Sequence, residues 1–328
     1  MNWKTYLNTA TSELSKYLKS DIQYSDIPKD GIRQIAWRET EIFIKGFKKW
    51  APEQLILNEN RKASQKDQRI MNAFLKKRKD GIPLAYILGK QDFYGLEFKV
   101  NKYTLIPRPE TEELVGYVLD FLSCKDAKSC VSAEKAKIIL IDIGTGSGCI
   151  LTALLKNLHG KINFTEIYAV DENKDALDIA KRNTEKHMGK SYKIKFVKGS
   201  LLKFLSHKNA LQCVSTEYVI IANLPYLSEE EYQSLSPEVK KHEPKSALVG
   251  GKEGYELICE LINQIVFYRR TYPCRKYNIF LEISPTIYPV ILKHCKNAKT
   301  PLKIRTVRDI SKKIRFLHIS IPPLILQK

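Results

Sequence analysis

The chain of 328 residues carries 55 Lys+Arg against 36 Asp+Glu, a formal net charge of +19, with 43% hydrophobic and 28% charged residues. That length exceeds one ordinary compact core and suffices for two domains, and the composition excludes a disordered chain, while no run approaches the roughly 20 apolar residues of a membrane helix. The basic excess is spread, 20 Lys+Arg against 12 Asp+Glu over residues 1–105 and 35 against 24 over the rest, so it marks no single nucleic-acid patch, although it should draw the protein to RNA-rich assemblies such as ribosomes.

Residues 1–80 read as helical throughout. Trp3, Leu7, Leu14, Tyr17 and Leu18 recur on one face, and Ile32, Ile35, Ala36, Ile42, Phe43, Phe47 and Trp50 continue the spacing after a start signal at Pro28. A third helix is predicted over Gln65 to Lys79, with KKRK at 76–79 as its solvated end. This bundle holds no catalytic constellation, so its expected task is recognition of a partner protein. The opening stretch lacks a secretory apolar core, and its acids, Glu13 and Asp21, with no early Arg, argue against a mitochondrial leader. A cytoplasmic location is expected.

From Gly81 turn residues and alternating apolar positions (Phe93, Leu96, Phe98, Val100) predict a β-hairpin linker over 81–107. Helical spacing resumes from Glu110 to Phe121, followed by a polar loop at 123–136. Strands and helices then alternate over 108–328: strands at 137–144, 165–171, 192–199, 217–223 and 277–284, with helices at Cys149 to Leu158, Lys174 to Lys186, near 253–269 and near 286–295. Such alternation gives an α/β fold with a mostly parallel sheet covered on both faces and ligands outside the strand C-termini. The last two strands, LKIRTVRDI and RFLHISI, have no helix between them and should pair antiparallel. Seven Cys without a CxxC or paired His spacing read as reduced core residues, with no metal site expected.

Two loops carry chemistry. IDIGTGSGCIL sets Gly144, Thr145, Gly146, Ser147 and Gly148 between the first strand of the alternating region and a helix, where glycine permits a sharp turn and close approach of a ligand to the backbone N–H groups. It lacks the Gly-Lys-Ser/Thr of a phosphate loop, and Cys149 stands where the dinucleotide fingerprint needs its third glycine. The spacing D-x-G-x-G-x-G suits S-adenosylmethionine, which has no pyrophosphate to cradle. The next strand ends on Asp171, at the distance of an acid that accepts from two ribose hydroxyls; the plainer alternative is that it caps the following helix. Further on, IIANLPY stops a buried strand on Asn223, Leu224, Pro225 and Tyr226. Asn and Pro are ordinary turn formers, but that alone leaves the tyrosine unexplained.

With these loops on one sheet edge, NLPY resembles the [Asn/Asp/Ser]-x-Pro-Tyr signature of class I methyltransferases that alkylate planar nitrogens. LIPRPETEELV (105–115), PLAYILGKQDFYGLEFKVN, HEPKSALVGGKEGYELI and RDISKKIRFL extend the resemblance over essentially the whole chain to the HemK/PrmC family. That family methylates the glutamine of the Gly-Gly-Gln motif in class I peptide chain release factors. The resemblance implies a class I (Rossmann-like) seven-stranded catalytic domain, a release factor as partner, a monomer, and S-adenosylmethionine as cofactor, leaving as S-adenosylhomocysteine. It also implies that Arg108, Glu110 and Thr111 line the active-site mouth and that Leu201 packs near the adenine. Departures stand at Leu224 for the usual first proline of Asn-Pro-Pro-Tyr, at Ser200 for an aspartate, at Glu253 for an aspartate and at Ser284 for a glycine.

The chemistry accounts for the motif. An amide nitrogen is a poor nucleophile because its lone pair is delocalised into the carbonyl. The side-chain oxygen of Asn223 and the main-chain carbonyl of Leu224 can accept its two N–H groups and stabilise positive charge growing on nitrogen. Pro225 stiffens the turn, and Tyr226 offers a flat face to the planar amide. Asn223 thereby borders both cofactor and substrate. Three alternatives stay open on sequence: an N6-adenine methyltransferase acting on DNA or ribosomal RNA, a ribosomal-protein glutamine methyltransferase, and a release-factor-binding protein that has lost catalysis.

Overall fold

The structure is a computed structural model that describes residues 1–20, 27–128, 137–207, 216–298 and 300–323. It divides into two compact units: Met1–Gln91 with Gln233–Glu243, and Asp92–Tyr232 with Pro244–Lys328.

The first unit packs α1 (Trp3–Leu18), α2 (Lys29–Lys48), α3 (Pro52–Leu57), α4 (Gln65–Lys79) and α5 (Leu84–Leu88). Asn2 caps α1 by accepting from the Thr5 N–H at 2.9 Å, and Ser64 and Asp67 form a reciprocal capping box at the start of α4. The core uses Trp3, Ala10, Leu14, Leu18, Ile32, Ala36, Phe43, Ile44, Met71 and Phe74. Ile42, placed on the apolar face by its spacing, is exposed, and its neighbour Ile44 is buried instead. A run of apolar residues at 42–44 leaves the helix phase ambiguous by one step. LAYIL, predicted as part of the hairpin linker, is α5; Pro83 precedes it and Gly89, at φ +68°, ends it in the left-handed region.

The end of α4 departs furthest from expectation. KKRK was predicted as a solvated helix end, yet Arg78 is fully buried. Its guanidinium donates to Glu39 from Nε at 2.8 Å and from Nη2 at 3.1 Å, to the Ile82 carbonyl at 2.7 Å, and to Glu238 at 3.1 Å. Glu238 lies on a one-turn helix, α10 (Pro237–His242), in the returning segment. Burial alone would lower the guanidinium pKa; the carboxylates of Glu39 and Glu238 outweigh it and hold Arg78 above its ordinary value. Composition could not separate this cation from its three solvated neighbours.

A hairpin, β1 (Lys90–Phe93) and β2 (Leu96–Lys99), follows. Tyr94 and Gly95 both take positive φ, 50° and 72°, the two-residue turn that matches strand twist. Then comes α6 (Pro109–Lys128), which runs past Phe121 into the expected polar loop; the rest of that loop, from 129, lies outside the described residues.

The sheet has seven strands in the order β5-β4-β3-β6-β7-β9-β8. These are β3 (Lys137–Ile143), β4 (Glu166–Asp171), β5 (Ile194–Lys198), β6 (Thr216–Ala222), β7 (Arg275–Glu282), β8 (Lys303–Arg308) and β9 (Ile314–Ile321). The first five are parallel, and β9 runs antiparallel to both β7 and β8. The helices α7 (Cys149–Asn157), α8 (Lys174–Met188), α11 (Glu256–Thr271) and α12 (Tyr288–Asn297) connect them, and a short helix, α9 (Glu229–Ser234), follows the NLPY turn.

Side chains alternate across the sheet. Ile139, Ile141 and Ile143 enter one core with Ile258, Leu261, Ile262 and Ile265 of α11, while Leu140 enters the other with Leu151 and Leu154 of α7. Each such aliphatic side chain contributes on the order of 1.5–3 kcal/mol when fully buried. β3 and β6 are neighbours whose connections depart in opposite directions, with Ile143 opposite Ala222. A crevice outside the strand ends is therefore expected there, between Gly144 and Asn223.

Candidate active site

A cavity of about 1020 Å³, open mouth included, occupies that crevice. Its wall includes Gly144, Thr145, Ser147, Asp171, Leu201, Asn223, Leu224, Pro225 and Arg108 among the residues picked out in the sequence. Gly146, Gly148, Tyr226 and Glu110 lie off the wall. Glu110 is exposed on the first turn of α6, and Thr111, one residue on, is buried with its side chain turned inward and does line the cavity.

The glycine loop folds around two carboxylates. Gly144, Gly146 and Gly148 all take positive φ, between 54° and 75°. The Gly144 and Thr145 N–H groups donate to the Val170 carbonyl at 2.9 and 3.0 Å, which ties the loop to β4. A Cβ on Gly148 would stand 3.0 Å from the Ala180 Cβ, so this glycine lets α7 and α8 approach. A Cβ on Gly144 would stand 3.3 Å from Leu224, at the floor shared with the NLPY turn.

Asp171 accepts from the Gly146 N–H at 2.9 Å through one oxygen and from the Asn173 N–H at 2.9 Å through the other. The cap of α8 is Asn173, whose side chain accepts from Asp175. Asp171 instead spans the two loops, and each of its oxygens keeps a lone pair for a further donor. Burial pushes its pKa up, against the pull of the two N–H groups. Asp142 lies beneath the loop, fully buried. It accepts from the Thr145 hydroxyl at 2.6 Å, while its Oδ1 has no partner among the described residues. Burial pushes its pKa up to about 7.

Leu201 follows β5 in a left-handed turn, φ 50°, which brings it to the cavity. Gln264 and Tyr268 of α11 hold that turn, accepting the Leu202 N–H at 2.8 Å and donating to the Leu202 carbonyl at 3.0 Å.

The NLPY turn contains no glycine but leans on two. A Cβ on Gly250 would stand 2.3 Å from the Pro225 carbonyl oxygen, and one on Gly254 would stand 2.5 Å from that of Tyr226. Leu227 exchanges backbone hydrogen bonds with this strip, donating to Leu248 at 2.9 Å and accepting from Gly250 at 3.0 Å. The Asn223 side chain donates from Nδ2 to the Thr111 hydroxyl at 3.1 Å. Among the described residues no group donates to its Oδ1 or to the main-chain carbonyl of Leu224.

Sequence reasoning missed several residues here. Tyr103, Leu105 and Pro107 enter the wall from the segment before α6, and Ser246, Ala247 and Leu257 from the strip after NLPY. Glu282 was also missed. It ends β7 one register step beyond the Ala222↔Leu281 pair, the position that Asn223 holds on β6. A charge closing the apolar run IFLE was the available signal, parallel to the amide closing IIAN. Among the described residues no group of three or more His, Cys, Asp or Glu is placed to hold a metal ion, and no helix is long and apolar enough to cross a membrane.

Comparison with known proteins agrees on one group. A family model described as the PrmC N-terminal domain matches residues 32–89. A release factor glutamine methyltransferase of Bacillus cereus is 36% identical over 219 residues, covering 66% of each chain, just under two thirds of that relative. One of Bacillus subtilis is 34% identical over 72% of this chain and 75% of its own. One of Dictyoglomus turgidum is 35% identical over 84% of this chain and 87% of its own. Among solved structures, the human Mettl16 catalytic domain in complex with an RNA hairpin matches with a TM-score of 0.50 at 14% identity, covering 87% of this chain and 94% of that one. At that identity the likeness shows the fold, a class I methyltransferase sheet.

Proposed function

The chain belongs to the HemK/PrmC family, and from that premise we propose that it transfers a methyl group from S-adenosylmethionine to the side-chain amide nitrogen, N5, of the glutamine in the Gly-Gly-Gln motif of a peptide chain release factor. The observation that carries this reading is the pair of unclaimed acceptors, Asn223 Oδ1 and the Leu224 carbonyl, at the strand end beside the glycine loop.

The residues present fit the cofactor. Asp171 has lone pairs for two vicinal hydroxyls, the glycine loop leaves Gly144 open to the cavity, and Leu201 supplies an apolar wall. When bound, S-adenosylmethionine supplies a methyl group on a positively charged sulfur, an electrophile that needs no metal. The chain's own contribution is to hold the nucleophile. Asn223 Oδ1 and the Leu224 carbonyl accept the two N–H groups of the target carboxamide, which fixes its plane and its approach. Both dipoles point their negative ends at the nitrogen, so they stabilise the charge that grows there until one N–H proton leaves. Pro225 limits the turn to one backbone geometry. Tyr226 is half-buried off the cavity wall with its hydroxyl 3.4 Å from Glu282, so it braces the turn from behind and is assigned no face against the amide. Arg108 stands on the cavity wall, where it would meet the backbone flanking the target glutamine, while Glu110 is exposed off the wall and is assigned no such contact.

The helical unit is the part that recognises the release factor, in keeping with the PrmC N-terminal domain match. The protein works as a monomer in the cytoplasm, and its net charge of +19 favours a loose association with ribosomes.

The test offers labelled cofactor in parallel to a release factor, to the same factor with its Gly-Gly-Gln glutamine changed, and to ribosomal RNA. Label is expected in the intact factor alone; label confined to RNA would refute the assignment.

A further inference from the structure

Asn223 presents a carboxamide whose two ends are opposite in character, and only its oxygen can serve as an acceptor for a target N–H. Something must decide which end faces the cavity. Thr111, from the first turn of α6, and Glu282, from the end of β7, meet behind Asn223. The Thr111 hydroxyl donates to Glu282 Oε2 at 2.8 Å, and Asn223 Nδ2 donates to Thr111 at 3.1 Å. The Tyr226 hydroxyl makes a looser approach to Glu282 Oε1 at 3.4 Å. Thr111 and Glu282 are each 2% exposed, so water does not compete for these bonds.

The polarity of this chain of bonds is forced. An ionised Glu282 has only acceptors, so the one hydroxyl proton of Thr111 is committed to it. Thr111 can then offer Asn223 nothing but lone pairs, which only the NH2 end of the carboxamide can use. The Asn223 oxygen is left facing the target. We propose that Glu282, acting through Thr111, is the positioning residue that orients the Asn223 carboxamide and so sets the polarity of the amide clamp; this rests on the methyl-transfer reading above.

Protonation of Glu282 would reverse the relay. A neutral carboxyl can donate to Thr111, whose own proton then turns toward Asn223. Asn223 rotates to accept with its oxygen, and its NH2 group meets the NH2 of the target. The surroundings of Glu282 favour such a change. Burial pushes its pKa up to about 7, and Glu110 on α6 adds to the rise, while the Thr111 and Tyr226 hydroxyls and Arg315 of β9 oppose it. Arg315 is itself shared with Asp309 at 3.3 Å, and the charges of Arg315 and Arg108 partly offset the burial that raises the Tyr226 pKa.

Three measurements test this. Thr111→Val keeps the shape and removes the relay; kcat at saturating cofactor should fall on the order of 10- to 100-fold with cofactor Kd within about twofold, and Thr111→Ser should recover most of the loss. In the wild type, kcat should fall about tenfold from pH 8.5 to pH 6, as Glu282 titrates near 7; in Glu282→Gln that ratio should shrink to within about twofold. Third, the side-chain amide proton signals of Asn223 should move with pH near 7 in the wild type and stay still in Glu282→Gln. Wild-type kcat in Thr111→Val, or an acid limb unchanged in Glu282→Gln, overturns the proposal. A wild type that labels no release factor removes the substrate reading instead, and the amide signals still decide the orientation: a wild-type signal that does not titrate refutes it.

Discussion

The two loops that face each other across the crevice solve the same problem in opposite ways. The 144–148 loop makes room with its own glycines, three of them in the left-handed region. The 223–226 turn has no glycine, and the room it needs is made by Gly250 and Gly254 on a strip that follows it by more than twenty residues. The first loop must yield to a ligand's approach, so openness is built into it. The second must hold two carbonyl groups still, so it is rigid in itself and supported from behind. Flexibility of composition and rigidity of support lie on opposite sides of one cavity.

On that contrast, the largest effect belongs to the acceptor itself. Asn223→Ala should lower kcat by 10²-fold or more, with cofactor affinity little changed, measured by isothermal titration beside single-turnover transfer. Equal losses in both quantities would mean that Asn223 serves the cofactor and not the target. Next is the support. Gly250→Ala puts a methyl 2.3 Å from a backbone oxygen that has no flexible end to yield. Transfer should drop at least tenfold, because a clamp displaced by about 1 Å loses much of its effect. Cofactor affinity should drop less than transfer does, and the reverse order would mean that the two loops are not separate in function.

Gly148→Ala acts on the opposite loop, straining a position at φ +75° and pressing on Ala180 at 3.0 Å. It should destabilise the fold by roughly 1–3 kcal/mol and weaken cofactor binding more than it slows saturated turnover, as thermal melts with and without cofactor would report. The last effect, read in stability against pH and not in transfer, concerns Asp142. Its folded pKa of about 7 is raised by burial, so the folded state holds that proton more tightly than the unfolded chain does. The group therefore favours folding at low pH, and this contribution is lost as pH rises from about 4 to 7. Asp142→Asn cannot titrate, so its stability relative to wild type should climb over that window by up to roughly 4 kcal/mol and then level off. A difference flat across pH 4–8 would show that Asp142 is not held protonated by its burial.

The same contrast marks what could be read from residues alone. The glycine loop was legible because its chemistry is local: glycines at fixed spacing after a β-branched run lead to one backbone outcome. The strand alternation and the antiparallel closing pair were legible for a similar reason, and the resemblance supplied the rest of the topology. Glu282 and its link to Thr111 were not, because that link exists only once β6 and β7 lie in register and α6 brings Thr111 against them, although Thr111 itself was placed at the mouth by the resemblance. Gly250 and Gly254 could be quoted as part of a family segment, but what they make room for depends on the Pro225 and Tyr226 carbonyls. Arg78 failed for a third reason, since four adjacent cations look alike until one of them is surrounded.

That buried arginine has a bearing on how the molecule can be taken apart. Glu238, one of its two carboxylate partners, arrives from residues 233–243, a short excursion from the later part of the chain that is counted within the helical unit. Cutting the polypeptide after Gln91 would not yield an intact remainder. The remainder would keep an eleven-residue loose end whose anchoring cation had left with the other fragment, and the loose end begins only seven residues beyond Tyr226. Swapping the helical unit between relatives would meet the same obstacle unless both pieces of chain travel together.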